Sequence, residues 1–100
     1  MKKLLRGGFV VTPRGSRRAD VLLDGEKIAQ VGHISPAEAK SAEVTDVFGC
    51  YLFPGFIDAH THFDLDVCNT TTADDFASGT RSAIRGGPTT IIDFTCPNKG

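Results

Sequence analysis

The stretch Phe56-Ile57-Asp58-Ala59-His60-Thr61-His62 decides how the rest of this chain is read. It is an apolar run that closes on two histidines one residue apart. On an extended strand, residues i and i+2 project from the same face. Two strand rises put the two Cβ atoms roughly 6–7 Å apart. Imidazoles leaning together from there can share one metal ion, each nitrogen at about 2.0–2.1 Å. Asp58 stands on that same face, one layer deeper. Phe53-Pro54-Gly55 punctuates the chain just before the run, so residues 56–62 read as a new buried strand.

Downstream, Phe63 to Thr72 has no period and reads as a loop. Thr72-Ala73-Asp74-Asp75 reads as a helix start, with a threonine cap and two acids where the helix dipole favours them. Ala73, Phe76, Ala77, Thr80, Ala83 and Ile84 recur at helical spacing and predict one buried stripe. Gly86-Gly87-Pro88 stops the helix, and Thr89-Thr90-Ile91-Ile92-Asp93-Phe94 follows as a second buried strand. Strand, loop, helix and strand make one βαβ unit, a parallel pair with a right-handed crossover. A parallel sheet needs cover on both faces, which one helix does not provide. Ile57, Ile91, Ile92 and Phe94 are therefore expected to stay partly exposed. The chain reads as the beginning of something larger, and its end in Cys96-Pro97-Asn98-Lys99-Gly100 is read the same way.

Upstream, Leu4-Leu5-Arg6, Phe9-Val10-Val11, Val21-Leu22-Leu23 and Lys27 to Val31 read as short strands. Gly7-Gly8, Pro13-Arg14-Gly15 and Asp24-Gly25 separate them. Asp24-Gly25-Glu26 is a hairpin signal. Ser35 to Lys40 is a loop or a single helical turn, and Glu43 to Val47 and Tyr51 to Phe53 read as two more strands. Together they predict a small antiparallel sheet or half a sandwich. The division falls at 1–54 and 55–100.

One hundred residues suffice for one modest core. Eleven basic residues balance 12 acidic ones. Arg14, Arg17 and Arg18 form the sole basic cluster, in a turn-like segment. With no basic helix and no aromatic platform, they read as a solvated loop and not a nucleic-acid surface. No apolar run is long enough to span a membrane. Arg6-Gly7-Gly8 cuts off the signal-like opening, so a cytoplasmic location is expected. Cys50, Cys68 and Cys96 are odd in number and lack a Cys-x-x-Cys pair; inert, partly buried, reduced thiols fit them.

Residues 49–65, Gly49-Cys50-Tyr51-Leu52-Phe53-Pro54-Gly55-Phe56-Ile57-Asp58-Ala59-His60-Thr61-His62-Phe63-Asp64-Leu65, closely resemble the first metal-binding stretch of the dihydropyrimidinases and hydantoinases. These are cyclic amidases of the amidohydrolase superfamily. Thr72-Ala73-Asp74-Asp75-Phe76, Gly79-Thr80-Arg81, Gly86-Gly87 and Thr89 to Phe94 continue the resemblance. Leu5-Arg6-Gly7-Gly8, Ala19 to Leu22 and Gly25 to Ile28 extend it over essentially the whole chain. Phe56, Ala59 and Pro88 depart from the usual residues, and Phe56 is expected to fill space low on the strand face it shares with His60.

The resemblance implies an α/β fold: a (β/α)8 TIM barrel, of which this chain holds the first βαβ unit, plus strands of a small β-sandwich. It implies that His60 and His62 bind the more buried of two divalent metals, usually zinc, at the C-terminal end of the first barrel strand. A carboxylated lysine, two further histidines and an aspartate complete such a site and lie outside this chain. It implies hydrolysis of the ring amide of a dihydropyrimidine or hydantoin to an N-carbamoyl amino acid, with a small-molecule substrate and a homo-tetrameric parent. The isolated piece, lacking most ligands, is expected to be inactive. Asp64 stands where dihydroorotases usually carry a carboxylate-binding arginine, which favours a neutral ring. Phe63 and Leu65 resemble the apolar wall against the substrate's exocyclic group, with hydrophobic filler the alternative. Asp58 either accepts a hydrogen bond from a ligand imidazole or belongs to an ion pair inside the barrel. Asp74 and Asp75 read as helix N-terminal charge, and Asp93 reads as structural. A non-enzymatic scaffold relative, an allantoinase or an N-acyl amino acid amidohydrolase are the rival readings.

Overall fold

The computed structural model describes residues 1–67 and 70–94, so Cys68, Cys96 and the terminal loop lie outside the described residues. The chain divides into two compact units, Met1–Pro54 and Gly55–Gly100.

In the first unit, β1 (Lys2–Thr12) is one continuous strand, not the two expected on either side of Gly7-Gly8. The two glycines form a bulge: the β1 ladder with β2 (Gly15–Asp24) shifts register between Leu5 and Gly8. Gly7 takes φ +81°, a conformation that glycine adopts at little cost. Its N–H donates to Asp20 Oδ1 at 2.9 Å. Arg17 and Arg18 are not in a loop; they pair with Val10 and Phe9 across the ladder. The Arg18 guanidinium lies 4.5 Å from the centre of the Phe48 ring. Only Arg14 stays in the turn.

The turn at Gly25-Glu26 leads into β3 (Lys27–Gly32), with Asp24 opposite Lys27. Gly25 has φ +59° and Glu26 a negative φ, the pattern of a II′ hairpin turn. Helix α1 (Pro36–Lys40) resolves the Ser35 segment as one helical turn. The Ser35 hydroxyl accepts from the Glu38 N–H and donates to the Glu38 carboxylate, satisfying one of the orphan donors of the helix end. From α1 the chain reaches the far edge of the sheet, where β4 (Glu43–Asp46) and β5 (Tyr51–Leu52) run parallel to β1. The sheet is therefore mixed, in the order β3-β2-β1-β4 with β5 also on β1; of the two readings, a small antiparallel sheet or half a sandwich, the purely antiparallel sheet is excluded.

Leu4, Leu22 and Ile34 are buried on one face, with Ala39 of α1 and Ala42 packed against them. Val10, Ala19 and Val21 are buried with Leu5, Leu23 and Leu52 against them. An open apolar groove of about 820 Å³ runs past Leu5, Val10, Val21, Leu23, Ile28 and Leu52. Cys50 is exposed, not partly buried, beside the short edge strand β5.

In the second unit, β6 (Phe56–Thr61) is followed by β7 (Asp66–Val67) and β8 (Thr70–Thr71), a short antiparallel pair inside the expected loop. Helix α2 (Phe76–Arg85) and β9 (Pro88–Asp93) complete the unit, with β9 parallel to β6. The βαβ unit is thus present. The cap of α2 is Asp75 and not Thr72. Asp75 Oδ1 accepts from the Ser78 N–H at 2.8 Å, and the Asp75 N–H donates back to Ser78 Oγ. Thr72 is engaged elsewhere: its hydroxyl accepts from the Leu65 N–H and its own N–H donates to the Leu65 carbonyl. Ala73 consequently precedes the helix. The helical stripe exists but is scarcely covered, and only Gly79 of α2 is buried. β6 is exposed for the same reason, with Ile57 65% accessible. Two strands and one helix leave the second face of the pair bare. Phe56 is half exposed, its ring against the Gly87 backbone.

Candidate metal centre

The histidines sit where β6 ends. Between Asp58 and Thr61 the ladder slips, because three steps along β6 match two along β9, from Ile91 to Asp93. The extra residue falls at Ala59-His60. Such a bulge breaks strict alternation and re-aims a side chain. The two rings nevertheless converge: His60 Nε2 and His62 Nε2 are 3.2 Å apart, with ring centroids 5.1 Å apart.

His62 Nδ1 lies 3.0 Å from the carbonyl oxygen of Phe94. A carbonyl only accepts, so Nδ1 carries the proton and Nε2 of the neutral ring presents a lone pair. The Phe94 ring meets His60 edge-on at 4.7 Å between centroids. Phe94 thus fixes the second histidine through its backbone and crowds the first through its ring. This is the imidazole-orienting bond expected of Asp58, and it comes from a backbone carbonyl. Asp58 Oδ1 instead accepts from the His60 backbone N–H at 3.2 Å.

Asp93 does more than the sequence suggests. Its Oδ1 accepts from the Phe63 N–H at 3.0 Å and from Thr61 Oγ1 at 3.3 Å, holding the residues on both sides of His62. The one signal for it in the sequence was an acid at the end of the neighbouring strand.

Beyond His62 the chain turns into a hairpin. Asp64 has φ +50° and donates its N–H to the Asp74 carbonyl; Leu65 and Thr72 form the next rung. Phe63 turns its ring onto α2, edge-to-face with Phe76 at 5.9 Å and over Gly79. Leu65 is half-buried at the base of the hairpin. Asp74 accepts from the Ser78 hydroxyl. Asp75 has its carboxyl held below the usual carboxylate value by the Ser78 N–H and then the Ser78 hydroxyl. Both acids are thus spent on the helix start.

Two tetrahedral Zn–N bonds of about 2.0–2.1 Å place their nitrogens about 3.3–3.4 Å apart. The observed 3.2 Å and the tautomer of His62 fit a shared divalent cation. Among the described residues, no group of three or more His, Cys, Asp or Glu side chains converges.

Residues 51–98 match the amidohydrolase family. The chain is 49% identical over 100 residues to a D-hydantoinase of Geobacillus stearothermophilus, covering all of this chain and 21% of that protein. It is 42% identical over 93 residues to a D-phenylhydantoinase of Escherichia coli strain SE11, covering 93% of this chain and 20% of that one. The crystal structure of a dihydropyrimidinase from Brevibacillus agri superposes with a TM-score of 0.91 at 48% identity, over 100% of this chain and 21% of that one. The chain spans about one fifth of the length of the relatives it matches. Sequence and fold agree: residues 51–98 match the amidohydrolase family, and the chain as a whole is similar to the first fifth of D-hydantoinases and dihydropyrimidinases.

Proposed function

We propose that this chain is the first part of a metal-dependent cyclic amidase. The parent enzyme opens the ring amide of a dihydropyrimidine or hydantoin to give an N-carbamoyl amino acid. The observation that carries this is the convergence of His60 Nε2 and His62 Nε2 to 3.2 Å at the end of β6. The 49% identity to a D-hydantoinase supports the substrate class. In the complete protein, β6 and β9 are the first two strands of a (β/α)8 barrel, and Met1–Pro54 is part of a β-sandwich. The exposed faces of β6 and α2 are then the surfaces that the remaining elements cover.

His60 and His62 would hold zinc, with a carboxylated lysine, two histidines and an aspartate from later strands completing a two-metal site. Bound there, the ions would supply activation of water and polarisation of the ring carbonyl. The chain's own residues do the positioning. The Phe94 carbonyl keeps the proton on His62 Nδ1, so that Nε2 is free to bind the metal. The hairpin presents Leu65 toward the substrate's exocyclic group, with Phe63 anchoring its base on α2. Asp64 disfavours an anionic ring. The parent is a cytosolic homo-tetramer, and the 100-residue chain alone is inactive because it carries two ligands of the set.

The test is turnover of dihydrouracil, hydantoin, allantoin and N-acetyl amino acids, side by side, by the complete protein after incubation with zinc, with its metal content measured. Ring opening of the first two is expected. Preference for allantoin or an N-acetyl amino acid overturns the substrate class, and no turnover of any, with no bound metal, makes the protein a scaffold relative.

A further inference from the structure

We infer that Asp93 is a positioning residue that selects the tautomer of His62, and so its metal-binding nitrogen. This deepens the metal-site reading above and rests on it.

A parallel strand pair is joined by evenly spaced, slanted hydrogen bonds. The Phe94 N–H donates to the Thr61 carbonyl at 2.9 Å. In a regular parallel ladder, the next bond runs from the N–H two residues further along the first strand back to the carbonyl of that same partner. Here that bond joins the Phe63 N–H to the Phe94 carbonyl. The structure replaces it with two others. The Phe63 N–H goes to Asp93 Oδ1 at 3.0 Å, and the Phe94 carbonyl accepts from His62 Nδ1 at 3.0 Å. The Asp93 carboxylate has diverted a backbone donor, and the released carbonyl orients an imidazole.

Three consequences follow from that exchange. β6 stops at Thr61, because the Phe63 N–H no longer extends the ladder. The chain is free to turn away at Phe63 into the hairpin. His62 is left as the residue whose ring reaches the vacated acceptor, with Nε2 directed at His60. Thr61 Oγ1 lies 3.3 Å from Asp93 Oδ1 and 3.2 Å from the Ile92 carbonyl, so its one hydroxyl proton is shared between the two acceptors at the strand end. Among the described residues, no third His, Cys, Asp or Glu side chain joins the histidine pair.

The experiment compares wild type, Asp93→Asn and Asp93→Ala in the complete protein, with 15N-labelled imidazoles followed by NMR, first without metal and then in zinc competition against a chelator. Asp93→Ala is expected to return the Phe63 N–H to the ladder and to scatter His62 between its two tautomers. Zinc affinity is expected to fall about 10- to 100-fold, the range for loss of a ligand-orienting partner. Asp93→Asn keeps an oxygen acceptor and is expected to restore the Nδ1-protonated tautomer and most of the affinity. A single unchanged tautomer in Asp93→Ala overturns the inference. Should Asp93→Ala not fold, scalar couplings across hydrogen bonds in the wild type decide it. Coupling from the Phe63 amide nitrogen to the Asp93 carboxyl carbon supports the exchange, and coupling to the Phe94 carbonyl carbon overturns it. If the metal-free tautomer responds as expected but wild type binds no zinc, the metal reading fails while the positioning role of Asp93 stands.

Discussion

Gly79→Ala sets two effects of opposite sign against each other. In a helix interior alanine is favoured over glycine by about 1 kcal/mol. A Cβ built at position 79, however, lies 2.4 Å from Phe63 Cε1 and 2.5 Å from Cδ1. Carbon atoms rest comfortably at about 3.5–4.0 Å, so the overlap is about 1 Å against a rigid ring. That ring has little freedom to retreat, since its backbone N–H is bound to Asp93 and its edge meets Phe76. Overpacking costs about 1–3 kcal/mol, and two ring atoms met this closely place it in the upper part of that range. The net expectation is a loss of about 1–2 kcal/mol in the opening free energy of α2. Native-state amide exchange of α2, which reads local opening, is the assay. In a Phe63→Ala background the clash is absent, so Gly79→Ala should stabilise α2 by about 1 kcal/mol. The double-mutant cycle should return about 2–3 kcal/mol of coupling. A stabilising Gly79→Ala in the wild type, or no coupling, refutes the seating of Phe63 on α2.

Asp64 holds φ +50°, so Asp64→Gly should leave stability equal or raise it by up to about 1 kcal/mol. Asp64→Val should cost about 1–2 kcal/mol; amide exchange of Leu65 and Thr72 reads both. Leu4 is 1% accessible, and Leu4→Ala should cost about 2–3 kcal/mol of the first unit's stability in urea unfolding. The Asp75 carboxyl titrates below its ordinary value of 3.8. Its contribution to α2 is therefore present above that value and lost as the pH falls through the lower, folded-state one. Helical ellipticity followed from about pH 5 to about pH 2 should show an acid-side loss that Asp75→Asn abolishes; an unchanged acid-side loss in the variant counts against the cap.

The second unit was legible where a local signal and a long-range need coincide. The apolar run into His60 and His62, the glycine stop and the Thr89–Phe94 run are local. A chain entering and leaving one helix between two strands leaves a parallel pair as the outcome. The shortfall of cover was legible too, and Ile57 and Ile92 are exposed as expected. Cap competition was not legible. Thr72 and Asp75 are both good N-cap residues, and the choice turned on Leu65 binding Thr72, a contact seven residues away. Gly7-Gly8 read as a break because a bulge and a turn use the same residue. Only the partner strand, with Asp20 in reach of the Gly7 N–H, decides between them. The arginines looked like loop residues because they follow the turn-like Pro13-Arg14-Gly15, yet Arg17 and Arg18 are exposed ladder residues of β2. The parallel placement of β4 and β5 depended on where α1 carried the chain, which no local pattern encodes.

At the site, the histidine pair was readable from spacing, and what orients it was not. Asp58 was the natural candidate because it shares a strand with the histidines. The structure uses the neighbouring strand instead, through the Phe94 carbonyl and the Asp93 carboxylate. A backbone carbonyl has no sequence signature, and Asp93 matters only through the ladder bond it replaces.

The most direct measurement is a zinc-edge anomalous map of the complete protein crystallised with zinc. One peak is expected about 2.0–2.1 Å from both His60 Nε2 and His62 Nε2, with His62 Nδ1 still bonded to the Phe94 carbonyl. A fully loaded crystal with no ion between these nitrogens, or with zinc on Nδ1 of His62, contradicts that expectation.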